Sequence, residues 1–232
     1  MSLLQSNSKV TTSTGFYDYP IDQSLRFDGS SYLSRTFSAG SSNAWTLSLW
    51  VKLLSVVADY EGVILFKTYD GRENVMSVNG GVYSIYEYKS TDTPVNNYVA
   101  YVNGANVKLR DFSSWYHFVI RANITNSVIN TYVNGVISLD YTINQNTTVL
   151  SQAGSVNLGS GGGRSFSGYM ANIQFIDGQA LDANSFGETK SGVWIPKEYT
   201  GSYGTNGFHL TFSNASDLGE DSSGNNNDWT VN

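Results

Sequence analysis

Five tyrosines stand close together between residues 83 and 101: Tyr83, Tyr86, Tyr88, Tyr98 and Tyr101, with Asn96 and Asn97 among them. Aromatic faces stack on the C–H surfaces of sugars, and amides orient the ring. Binding sites commonly combine apolar walls with a few polar groups in this way. Tyr86 and Tyr88 share one face of an extended strand. The same residues suit a contact between proteins, where tyrosine is enriched. They equally suit half-buried strand packing, which tyrosine favours in any case. All three roles stay open at this level.

A second cluster runs from 221 to 228. Asp221, Ser223, Asn225 and Asn227 set oxygen ligands at alternate positions around Gly224, and Asp228 adds a carboxylate. Calcium takes such ligands, so it is a candidate here, although no cofactor is required. The run departs from the D-x-[DN]-x-[DN]-G order and has no bidentate Glu after it. Plain turns built on Asx hydrogen bonds have the same composition. Asp177 is a further oxygen donor, and its alternative role is to cap the turn it sits in.

Catalytic constellations are missing. Glycoside hydrolysis needs two carboxylates across the scissile bond. None of Glu61, Glu73, Glu87, Glu188, Glu198 and Glu220 is followed two positions later by Asp or Glu. Carboxylates converging from different strands remain the alternative that would make the chain a glycan hydrolase. His117 and His209 each sit inside an apolar run and read as hydrogen-bonded core histidines. The glycine run at 159–163 has neither Walker nor dinucleotide-binding spacing and reads as a loop. With no cysteine, thiolate metal sites, disulfides and a cysteine nucleophile are excluded.

The elements that must position these groups are strands. Trp45 to Lys52 alternates, with Trp45, Leu47, Leu49 and Val51 on one face. Gly62–Lys67 reads as a short buried strand, and Trp115–Arg121 alternates again. Val-Asn-Gly occurs at 78–80, 102–104 and 133–135, each time between alternating segments. Asn-Gly suits the type I′ turn, so the three predict three hairpins. Asp182 to Gly187 predicts one helical turn capped by Asp182. Trp45, Trp50 and Trp115 read as core, while Trp194 and Trp229 lie in weaker contexts open to solvent. The pattern predicts an all-β fold, an antiparallel jelly-roll β-sandwich.

The chain has 232 residues, a net charge of −6 and only 14% charged residues. That length supports one sandwich domain, placed at 21–232, behind an extended arm at 1–20. Phe16, Tyr17 and Tyr19 give the arm something to bury on a partner. The acidic balance argues against nucleic acid as a partner. No apolar run reaches the ~20 residues that span a bilayer, so no membrane insertion is expected. Met1 to Lys9 lacks the features of a signal peptide.

Six segments, in order, resemble the laminin-G/concanavalin-A-like lectin superfamily. They are S-L-R-F-D-G-S-S-Y-L at 24–33, W-T-L-S-L-W-V-K at 45–52, W-Y-H-F-V at 115–119, T-Y-V-N-G at 131–135, N-L-G-S-G at 157–161 and F-S-G-Y-M-A-N-I-Q-F-I-D-G-Q-A-L at 166–181. F-H-L-T-F at 208–212, with the 221–229 turn, resembles a strand that many members carry ahead of the opening strand. That implies a permuted order. S-L-R-F with Y-L-S-R, and F-I-D-G-Q-A-L-D with F-G-E, resemble the form of this domain found in tailed-bacteriophage structural proteins. The resemblance implies a non-enzymatic protein of the virion surface, a capsid decoration or fibre-type module. It would be made in the host cytoplasm, assemble with other virion proteins as a homo-oligomer, and bind cell-surface glycans. A purely structural subunit is the other expectation.

Overall fold

The computed structural model describes residues 16–41, 43–54, 61–67, 72–79, 82–89, 98–142, 153–161 and 164–232. Its strands, in chain order, begin with β1 (Leu25–Asp28), β2 (Leu33–Phe37), β3 (Ala44–Leu53), β4 (Glu61–Lys67), β5 (Arg72–Asn79) and β6 (Val82–Lys89). They continue with β7 (Tyr98–Lys108), β8 (Tyr116–Asn123), β9 (Val128–Val133), β10 (Val136–Thr142), β11 (Gly154–Leu158) and β12 (Ser160–Gly161). The last are β13 (Arg164–Ser165), β14 (Ser167–Asp177), β15 (Gly187–Lys190), β16 (Val193–Pro196), β17 (Phe208–Leu210) and β18 (Thr230–Val231). Among the described residues the helical content is one 3₁₀ turn, Ala183–Ser185. No helix among them is long and apolar enough to cross a membrane.

Two seven-stranded antiparallel sheets make the sandwich. The first runs β1-β14-β3-β8-β9-β10, with β17 also on β14, and the second runs β18-β2-β11-β4-β5-β6-β7. Their inner faces meet in a core that includes Leu47, Leu49, Phe118 and Phe175 from the first sheet and Leu33, Phe37, Tyr83 and Leu158 from the second. This is the jelly-roll sandwich expected from the alternating strands.

The first sheet is buried on its outer face too. Val119, Ile176, Ala183 and Phe186 form a second cluster there, against Tyr132, Leu181, Trp194, Tyr199 and Tyr203. Thr46, Ser48 and His117 are therefore buried as well as the inward-facing residues. A strand covered on both faces reads as nearly continuous burial, and Trp45–Val51 is buried throughout.

On β14, β1 and β17 share one edge. Leu25–Asp28 pairs with Ser167–Met170, and Phe208–Leu210 pairs with Ile173–Phe175. Both run antiparallel to β14, so β17 lies in line with β1 and ahead of it. Asn172 stands between the two, at φ +46, where β14 slips its register on β3. The 208–212 segment thus occupies the position implied by a permuted order.

Two hairpins form as expected. Asn134 (φ +48) and Gly135 (φ +78) make the reversal between β9 and β10. Asn79 pairs with Val82 in the ladder that joins β5 to β6, and residues 80 and 81 lie outside the described residues. The hairpin expected at 102–104 is absent, because those residues lie inside the continuous strand β7. Between the pairs Val82↔Lys108 and Ser84↔Asn103, β7 uses more residues than β6. The Asn-Gly pair thus lies where β7 bulges instead of reversing.

The expected cap by Asp182 also differs. Asp182 precedes the 3₁₀ turn but makes no side-chain cap. Its carboxylate instead accepts from the Arg121 guanidinium and from Tyr132 Oη at 2.9 Å. Two strong donors from neighbouring strands outcompete one backbone N–H.

Candidate functional site: a tryptophan-walled cleft

The outer face of the first sheet carries a cleft of about 490 Å³. Trp50 comes from β3, Trp115 from the residue before β8, Ala171 from β14, and Trp194 and Pro196 from β16. The other wall is the segment before β1: Tyr17, Pro20, Ile21, Asp22, Gln23 and Ser24. The volume falls within the roughly 300–1,000 Å³ typical of small-ligand sites.

The indoles are held rigidly. Trp194 Nε1 donates to His117 Nδ1 at 2.9 Å. An indole nitrogen can only donate, so Nδ1 carries no proton and the proton is on Nε2. His117 Nε2 therefore donates to Ser48 Oγ at 2.8 Å. Burial lowers the His117 pKa to about 3, so the imidazole is neutral at physiological pH. Trp50 stacks on the same imidazole, with centroids 4.7 Å apart and planes 15° apart. Trp194 lies 22° from that plane. His117 thus holds both Trp50 and Trp194, one by stacking and one by a hydrogen bond.

Two glycines lie close against Trp194. A Cβ on Gly135 would fall 2.3 Å from Trp194 Cζ3, and one on Gly187 would fall 2.4 Å from Cζ2. The β9–β10 turn therefore needs glycine for contact as well as for its backbone angle.

The second wall is anchored to the same face. Lys190 Nζ donates to Asp18 Oδ2 at 3.0 Å and stands 5.9 Å from the Phe16 ring centroid. Tyr19 Oη reaches Asn172 Oδ1 at 3.4 Å, and burial raises the Tyr19 pKa. Phe16 and Tyr17 remain exposed. The three aromatics expected to serve an arm thus lie along their own domain, with Tyr17 in the cleft wall.

The tyrosine cluster is distributed differently. Tyr83 is fully buried, its hydroxyl donates to Ser138 Oγ at 2.6 Å, and its ring packs edge-on against Phe118. A residue with no exposed surface touches no ligand, so Tyr83 is corrected to a core residue. Strand register pairs Tyr86 with Tyr101 and Tyr88 with Tyr98. Asn96 and Asn97 lie outside the described residues.

The 221–228 loop is a network of local bonds. Asp221 accepts from His209 N, Ser223 N, Ser223 Oγ and Asn227 N, all at 2.8–2.9 Å. Asp228 Oδ1 accepts from Asp221 N at 2.8 Å. Asn225 Nδ2 donates to the carbonyls of Gly204 and Gly207, and Asn227 Nδ2 to those of Thr205 and Gly207. Ser223 Oγ accepts from Asn225 N at 3.2 Å. Asp177 ties two loops, accepting from Ser41 N at 2.8 Å and Asn206 N at 3.1 Å. Among the described residues, no group of three or more His, Asp or Glu could hold a metal.

His117 is a core group, as expected, whereas His209 is half-buried and hydrogen-bonded. His209 Nε2 bonds Asn172 Oδ1 at 2.6 Å, and burial lowers its pKa to about 4. Trp229 corrects an expectation. It is buried at 4% exposure, edge-on to Phe208 at 4.9 Å and near Phe37. Sequence reasoning placed Trp50 and Trp115 in the core. Trp50 is buried and Trp115 half-buried, yet both line the cleft. The missed signal is three tryptophans flanking apolar strands in a chain poor in charge.

Residues 27–185 match the concanavalin A-like lectin/glucanases superfamily, and the chain belongs to that family. A non-toxic nonhemagglutinin of Paraclostridium bifermentans is 24% identical over 62% of this chain. The chain spans only 12% of the length of that relative. Among solved structures, a putative carbohydrate binding protein of Bacteroides ovatus has a TM-score of 0.62 and 15% identity, over 90% of this chain and 58% of its own. Domain 4 of AbnA, an extracellular arabinanase of Geobacillus stearothermophilus solved with arabinotriose, has a TM-score of 0.51 and 18% identity. That match covers 71% of this chain and 75% of the other. These likenesses concern the fold.

Proposed function

We propose that this chain is a non-catalytic carbohydrate-binding domain that holds a glycan in the tryptophan-walled cleft. One observation carries the reading: three indoles line a cleft that also holds a carboxylate, an amide and a hydroxyl. Rigid aromatic faces for stacking, with a few polar groups at the side, suit a sugar ring. Asp22 is the sole carboxylate among the described lining residues, whereas glycoside hydrolysis needs two. The description of the Bacteroides protein as a putative carbohydrate binding protein, and the arabinotriose bound in the Geobacillus structure, agree with this reading.

The test is Trp115→Ala, titrated beside the parent chain on a broad glycan array and by tryptophan fluorescence. Trp115 is half-buried, so its removal is expected to weaken binding at least tenfold, as truncating an aromatic anchor does, with the fold intact. Equal binding by both proteins would reject the cleft. Release of reducing sugar would reject the non-catalytic reading. The same titration with chelator is expected to give the same affinity, because the 221–228 loop is proposed as a structural lock and not a calcium site.

The setting proposed for this domain is the surface of a phage virion, as part of a homo-oligomer. The support is the resemblance of the 24–35 and 175–188 segments to tailed-phage structural proteins. Detection of the chain in purified particles, with light scattering for its oligomeric state, tests it. A purely structural subunit is favoured over a lectin if the array stays silent.

A further inference from the structure

The two walls of the cleft differ in chemistry. Strands and their flanks supply Trp50, Trp115 and Trp194, which make an aromatic wall. The polar oxygens come from the segment before β1: Tyr17, Asp22, Gln23 and Ser24. We infer that this segment sets which glycan the cleft accepts, and that Asp22 selects uncharged or amino sugars against acidic ones. The inference rests on the reading of the cleft as a glycan site.

Two observations carry it. Among the described residues, Asp22 is the only carboxylate lining the cleft, and no Lys or Arg lines it. A uronate, sulfate or phosphate placed there would meet a like charge with no cation among them to offset it, in a chain of net charge −6. A sugar hydroxyl or ammonium group can donate to the Asp22 carboxylate, whereas an ionised carboxylate on the ligand accepts but cannot donate. Second, the segment is fastened in place through Lys190 and Asn172, so Asp22 is presented before any ligand arrives.

The experiment titrates the full chain with length-matched neutral, amino and uronic oligosaccharides, using the parent, Asp22→Asn and Trp115→Ala. The parent is expected to bind neutral and amino sugars through the cleft, with Trp115→Ala removing that signal. Asp22→Asn is expected to improve acidic relative to neutral binding about fivefold, the effect of one charge a few ångströms away in a watery cleft. The gain is expected to shrink at 0.5 M salt. Asp22 is exposed, so an unchanged unfolding midpoint serves as the folding control. Parent binding of acidic sugars as strong as that of neutral ones, lost in Trp115→Ala, overturns this inference alone. So does an unchanged ratio in Asp22→Asn. Failure to bind any sugar overturns the glycan reading and this inference with it.

Discussion

Replacing Trp194 by phenylalanine removes one hydrogen bond that sets the cleft, along with part of the indole's packing. Phenylalanine keeps one aromatic ring near Gly135 and Gly187 but lacks the N–H that donates to His117 Nδ1 at 2.9 Å. His117 cannot repair the loss by switching tautomer. With the proton on Nε2 it still bonds Ser48, and Nδ1 becomes a buried acceptor with no donor. With the proton on Nδ1 it accepts from Ser48, and Nδ1–H becomes a buried donor with no acceptor. A lost partner at a buried polar atom costs about 1–3 kcal/mol. Taking about 2 kcal/mol, a chain of this size loses roughly 4–8 °C in Tm. Differential scanning calorimetry with urea titration at pH 7 measures it. A Tm within 1 °C of the parent would refute the claim that His117 depends on Trp194.

Two further outcomes follow from the same region. The folded-state pKa values of His117 and His209, about 3 and about 4, lie below the ordinary histidine value. Between the ordinary value near 6.5 and those lowered values, the unfolded chain binds protons that the folded chain refuses. Stability therefore falls as pH drops through this window, by about 2 kcal/mol between pH 6 and pH 5 if both histidines contribute. Urea midpoints across pH 7 to 5 read it, and a flat profile would contradict the lowered pKa values of the two rings. Gly135→Ala and Gly192→Ala form a matched pair: the backbone angles are φ +78 and φ +80, but only Gly135 faces Trp194. Gly192→Ala is expected to cost about 1 kcal/mol from backbone strain alone. Gly135→Ala is expected to cost about 2–3 kcal/mol, because the indole must also move. Equal costs would mean that the turn does not brace the cleft.

Strand periodicity and Asn-Gly turns carried the sandwich, because both are local properties. Trp45, Leu47, Leu49 and Val51 are core residues, and the 134–135 turn forms as its sequence directs. Val102-Asn103-Gly104 went astray because a bulge and a reversal draw on the same residue types, and only the pairing partner separates them. Tyr83 looked like its neighbours in sequence, yet strand alternation and the facing sheet put it in the core. The cleft was hidden for a different reason. Its tryptophans come from three separate segments, and its polar wall comes from a fourth. What unites them is the layer on the outer face of the first sheet, where Ser48 and His117 are buried by Trp194 and Trp50. Nothing in the local pattern of β3 or β8 announces a cover whose Trp194 arrives 77 residues after His117.

The shared edge of β14 bears on how the molecule is made. A ribosome delivers β1 early and β14 some 140 residues afterwards, and β17 emerges later still. Until residues 208–210 arrive, half of that edge stands open. Until residue 229 arrives, the core lacks the ring that packs on Phe37 and Phe208. Unpaired edges on partly built sheets invite association between nascent chains. Long-range pairings of this kind also slow folding. The sandwich therefore closes after most of the chain has been synthesised, and its yield in a cell depends on what shields that edge in the interval.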